Sequence, residues 1–95
     1  MPAAYREGTR TYGTTQVRSI SGASAQSAAI NGAEEVMLYN GDTSICFFKT
    51  GANPIADLTT SIPLGPGERL HVQISQGDKV AVIGTSGNLY ITPAN

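Results

Sequence analysis

Ninety-five residues with a formal net charge of −1 and only 14% charged side chains do not make a surface built to neutralise phosphates, so nucleic acid is not expected as a partner. The single cysteine, Cys46, cannot close an intramolecular disulfide, and one cysteine with one histidine, His71, cannot form a usual zinc site. No apolar run approaches the roughly 20 residues that cross a bilayer as a helix, and the opening MPAAYREGTR lacks a signal-peptide hydrophobic region. The expectation is a chain made in a reducing cytoplasm, with no membrane, metal or cofactor.

At 40% hydrophobic residues the chain has enough apolar surface to fold, and its length suits one domain of modest stability. Trp is absent, and β-branched residues cluster between glycines. That composition favours strands over helices.

Residues 1–13, MPAAYREGTRTYG, show neither helical nor strand periodicity. They read as an N-terminal arm, either frayed or laid on a neighbouring subunit through Tyr5, Arg6, Arg10 and Tyr12, since Tyr and Arg are enriched at contacts. The β domain then spans residues 14–95. Residues 14–20, TTQVRSI, are β-prone and end at Gly22. Residues 24–30, SAQSAAI, make a weak edge strand in which Ala28, Ala29 and Ile30 could equally start a helical turn, and Asn31-Gly32 signals a tight turn.

The most apolar unit follows: residues 35–40, EVMLYN, then Gly41-Asp42, then residues 44–50, SICFFKT. Asn40-Gly41 between two apolar runs predicts a hairpin. Alternation fails here, because Met37 and Tyr39 oppose Val36 and Leu38, and Ile45 and Phe47 oppose Cys46 and Phe48. A strand apolar on both faces must be covered on both. One cover is the core, and a second copy of the protein is the expected other, which makes Met37, Tyr39, Ile45 and Phe47 interface candidates.

Residues 52–60, ANPIADLTT, form a long connection in which Ile55 and Leu58 are expected to pin the loop onto the core. Residues 61–74, SIPLGPGERLHVQI, join an apolar strand to a Gly65-Pro66-Gly67 turn and then to a run where Leu70, Val72 and Ile74 alternate with Arg69, His71 and Gln73. Proline presets φ and glycine accepts positive φ, so the reversal is placed there. Residues 79–83 and 88–92 are further strands around Gly84 and Gly87, and together with residues 69–74 they read as an antiparallel meander. The expected core is Leu70, Val72, Ile74, Val80, Val82, Leu89 and Ile91. The expected fold is all-β, a small antiparallel sandwich or jelly-roll-like barrel of about seven or eight short strands.

Chemistry is sparse. His71 stands on the outward side of its strand with Arg69 and Gln73, and no carboxylate is fixed beside it in sequence. A catalytic histidine needs an orienting partner and a nucleophile. Cys46 between Ile45 and Phe47 reads as packing rather than nucleophile. Glu34, Glu35, Asp42, Asp57, Glu68 and Asp78 lie in or beside predicted turns, where carboxylates usually cap backbone amides. Residues 84–87, GTSG, lack the Lys-Ser/Thr of a phosphate loop, so a hairpin turn is the better reading. No constellation of an enzyme is visible.

Residues 36–95 carry an apolar strand ending in Asn-Gly, then Phe-Phe-Lys-Thr-Gly, Ile-Pro-Leu-Gly-Pro-Gly, Val-Ala-Val-Ile-Gly and Gly-Asn-Leu-Tyr-Ile-Thr. This pattern resembles the small β-rich virion proteins of tailed bacteriophages, including the decoration or cement proteins that sit on capsids as trimers or dimers. The resemblance covers about two thirds of the chain and transfers no catalytic residues. It implies a structural virion protein on the capsid surface, most simply a homotrimer, that binds and stabilises the major capsid protein. Related β modules in phage tails, spikes and fibres imply an alternative, receptor or carbohydrate binding through Tyr39 and Tyr90.

Overall fold

The computed structural model describes residues 11–95, which contain eight strands and no helix. In chain order they are β1 (Gln16–Ser19), β2 (Ala25–Gln26), β3 (Glu35–Asn40), β4 (Cys46–Gly51), β5 (Ile62–Leu64), β6 (Arg69–Gln73), β7 (Lys79–Gly84) and β8 (Asn88–Ala94). Every pairing is antiparallel. The first sheet has the order β1-β8-β3-β6 and the second the order β2-β7-β4-β5. The first strand therefore pairs with the last, the second with the seventh, the third with the sixth, and the two middle strands with each other.

One apolar cluster draws on both sheets. Val36, Leu38, Leu89 and Ile91 come from the first, and Cys46, Phe48, Leu64, Val80 and Val82 from the second, all fully buried. These are alternate positions along β3, β4, β7 and β8, as period-two geometry requires of strands that share an interior. Ile20, Ile30 and Ala33 close the cluster from the connections.

The expected strands are all present, but several expected neighbours are not. No hairpin joins β3 to β4, since they lie in different sheets. Asn40 is wholly buried, and its Nδ2 donates to the carbonyls of Ser44 at 2.9 Å and Leu64 at 3.0 Å, while Asp42 N–H donates to its Oδ1 at 3.0 Å. The side chain thus builds a corner that carries the chain from sheet to sheet. The expected meander is likewise absent: β6 and β8 belong to the first sheet and β7 to the second, so residues 84–87 are a crossing and not a hairpin turn. Adjacent strands must be bridged across the core here because each sheet is completed by strands distant in sequence.

Val80, Val82, Leu89 and Ile91 are fully buried as expected, but Leu70 is 36% exposed, and Val72 and Ile74 are only partly buried. Their parity is right and their depth is not, because β6 is an edge strand, with a neighbour on one side only. Ile55 and Leu58 do not pin their loop, being 66% and 60% exposed. Pro54 and Ala56 turn inward instead. The turn at residues 65–68 does form, with Glu68 N–H donating to Gly65 O at 3.1 Å and Gly67 at φ 72°, which places Pro66 and Gly67 at the central positions of a type II turn.

The expected arm lies mostly outside the described residues. Its last three residues run beside the end of β8: Thr11 and Asn95 exchange backbone hydrogen bonds at 3.1 and 2.9 Å, and Gly13 N–H donates to Pro93 O at 2.9 Å.

Candidate binding face

The outer face of the first sheet gathers the aromatic residues that the sequence scatters. Strand register places Val17 beside Tyr90, Tyr90 beside Tyr39 and Tyr39 beside Arg69, which makes one row across all four strands. The Tyr39 and Tyr90 rings are tilted at 42° with centroids 5.9 Å apart. Arg69 Cζ stands 4.8 Å from the centre of the Tyr39 ring, a cation–π contact. Val17 and Tyr90 are exposed, as is Arg69. The row is held from below by Gly41, where a Cβ would come within 2.7 Å of Tyr90 Cε1. Only glycine lets the ring lie there.

The next row is Thr92, Met37 and His71. Thr92 is tied to Thr15 by a hydroxyl–hydroxyl hydrogen bond of 2.7 Å, Met37 is half-buried and His71 is exposed. The face is therefore amphipathic, with Arg69 as its cation beside the tyrosines. Such a surface can stack and hydrogen-bond. It holds no nucleophile beside His71 on these two rows.

The outer face of the second sheet is treated differently. Its row Gln26, Ala81 and Lys49 lies under residues 52–60. Gln26 Nε2 donates to Pro54 O at 2.7 Å and to Asn53 Oδ1 at 2.9 Å, Ala56 N–H donates to Ser24 Oγ at 2.9 Å, and Lys49 Nζ donates to Thr60 Oγ1 at 3.0 Å. Ala81 is fully buried although it points away from the core. Part of the second cover that an apolar β4–β7 layer requires is thus the chain's own loop. Asp57 organises that loop: it accepts hydrogen bonds from the backbone and hydroxyl groups of Thr59 and Thr60, and the Thr60 side chain above all holds its carboxyl well below the usual carboxylate range.

Of the residues expected at an interface, Met37 and Tyr39 stand together on the first sheet's outer face, while Phe47 lies on the second sheet beside Pro63 and Ile83. Ile45 is exposed just ahead of β4, and Tyr12 is exposed where it bridges to Ala94. Tyr5, Arg6 and Arg10 lie outside the described residues. Sequence reasoning put Arg69 on an outward face but not against Tyr39, and it missed Val17 altogether. Neither contact has a local signal, since the row joins residues far apart in the chain.

The remaining chemistry is quiet. Cys46 is buried, and desolvation, with a smaller push from the Asp42 charge, raises its pKa from 9.0 to about 11. At residues 84–87 a Cβ on Gly87 would overlap Asp42, and Ser86 Oγ donates to Asp42 Oδ2 at 3.3 Å. A carboxylate there opposes phosphate. Among the described residues no three His, Cys, Asp or Glu side chains converge as metal ligands. A cleft of about 310 Å³ opens between Tyr12, Gln16, Asn31, Pro93 and Asn95, lined by neutral side chains. No protein-family model, curated protein or solved structure matches the chain.

Proposed function

We propose that the protein is a structural component of a bacteriophage virion, binding and stabilising the capsid as a homo-oligomer through the outer face of the first sheet. We read its two sheets as the halves of a jelly roll. The orders β1-β8-β3-β6 and β2-β7-β4-β5 support that reading, because a long hairpin bent at β4–β5 and rolled up nests its strands in those pairs. Jelly rolls recur in capsid and lectin domains.

The observation that carries the function is the outward row Val17, Tyr90, Tyr39 and Arg69, exposed except for the half-buried Tyr39, on a protein of net charge −1. Tyr and Arg supply large contact area at protein interfaces, and a nearly neutral surface attaches through packing and hydrogen bonds more than through long-range attraction. A bound oligomer that engages several subunits at once combines moderate affinities into strong attachment.

The Tyr39–Tyr90 pair also suits a second reading, a receptor- or carbohydrate-binding module, since two tilted rings can stack against a sugar. One comparison separates the two. Purified protein is added to shells that lack it and, in parallel, to host cells and a glycan array. Retention on shells, with a higher shell-opening temperature, supports the first reading. Unchanged shell opening together with glycan or cell binding replaces it with the second.

A further inference from the structure

We infer that the free edge of β6 pairs with β6 of a second copy, antiparallel and centred on His71, so that the first sheets of two copies join into one. Among the described residues β6 hydrogen-bonds only to β3. Its backbone phase is set by that ladder. Ile74 N–H donates to Glu34 O at 3.0 Å and Asn40 N–H to Glu68 O at 3.1 Å, with Val36 opposite Val72 and Leu38 opposite Leu70 between them. In an antiparallel ladder hydrogen-bonded pairs alternate with non-bonded ones, so even-numbered residues of β6 face β3. Arg69, His71 and Gln73 therefore turn their N–H and C=O groups to the free side.

The other three sheet edges are blunted in the ways native proteins use. The second sheet ends on β2, only two residues long, and on β5, whose central residue is Pro63. The outer strand β1 has four residues, and its Gln16 side chain bonds the N–H and C=O of Ala28, which ties the first sheet to the second at that end. β6 is five residues long and contains no Pro, and its one charged side chain, Arg69, lies over the Tyr39 ring on the outer face.

A two-fold axis at His71 satisfies the free edge with itself. Arg69 meets the partner's Gln73, His71 meets the partner's His71, and every outward peptide of the strand acquires a partner. A slip by two residues would leave one of them outside the strand pair. The same register sets Leu70 against the partner's Val72 on the inner side. Leu70 is the exposed member of the inner face, so pairing covers apolar surface that the single chain leaves wet. The interface is isologous, and an edge takes only one strand, so the assembly closes at two copies rather than the three suggested by resemblance. Both tyrosine rows then lie on one side of a continuous sheet.

The test is the mass of the full chain in solution at tens of micromolar, read by light scattering and sedimentation. A dimer of the 9.9 kDa chain is expected. Leu70→Lys puts a charge into the joined inner face, and His71→Pro removes an outward N–H without removing a bond to β3. Each should weaken dimerisation at least tenfold. A third variant, His71→Cys, is independent of folding losses in the other two: hydrogen-bonded antiparallel pairs have Cα atoms about 5.5 Å apart but Cβ atoms near the wide end of about 4.5–5.5 Å, so a short thiol-bridging reagent should give a cross-linked dimer. An exposed Ile55→Cys control should not. A monomeric wild type, a three-chain particle, or a dimer that survives Leu70→Lys and fails to cross-link through residue 71 overturns the pairing. Shell binding is measured separately, so its loss alone leaves this result standing.

Discussion

The side-chain amide of Asn40 donates to the carbonyl of Leu64 at 3.0 Å in the buried corner between the two sheets. It also serves Ser44 O and the N–H of Asp42. Asn40→Leu fills similar space but strands those groups, each costing about 1–3 kcal/mol when buried and unpaired. Urea unfolding should show a loss of about 3 kcal/mol. A loss under about 0.5 kcal/mol would mean the corner is held by other means.

Gly87 has φ 94° and leaves no room for a Cβ beside Asp42. Gly87→Ala should cost about 2 kcal/mol, combining left-handed strain with overlap. Asp42→Gly should recover part of it in a double-mutant cycle, because the two sites touch. Strict additivity would count against the steric account.

Depth in the core separates residues of equal size. Val82 is fully buried and Val72 only partly so. Val82→Ala should destabilise by about 2 kcal/mol and Val72→Ala by less than half as much, since cavity cost grows with the volume left empty. Thermal unfolding of both variants is the measurement.

Tyr39→Ala and Tyr90→Ala should lower shell retention at least tenfold while the circular dichroism spectrum stays that of a β protein. Arg69→Ala should have a smaller effect, as an exposed cation–π contact contributes about 0.5–1 kcal/mol. Retention unchanged by both tyrosine variants would move attachment off this face.

Cys46 predicts the alkaline limit. Its folded pKa is raised to about 11 from 9.0, so the folded state prefers the thiol. The associated stability is fully present below pH 9.0 and is lost as pH rises through about 11. Cys46→Ala should flatten that loss relative to wild type. In the native protein at neutral pH the thiol should react with a disulfide reagent only at the rate of unfolding.

The sequence by itself determined the strands and, along residues 69–74, which side of the strand faces inward, because a strand has period two whatever it pairs with; residues 36–40, 46–48 and 80–82 are apolar on both sides, and there the packing of the two sheets chose the core face. Gly65-Pro66-Gly67 likewise sets its own turn. Tertiary structure decided which strands are neighbours, since pairing β1 with β8 or β3 with β6 depends on contacts between distant residues that no local pattern encodes. It decided depth, leaving Leu70 half-open because β6 is an edge. It turned Asn40 from a hairpin residue into a buried corner, covered part of the second sheet with residues 52–60, and assembled the row Val17, Tyr90, Tyr39 and Arg69 from four separate strands. Those relationships arise from one shared core between two sheets, which forces non-adjacent strands together and fixes their register across it.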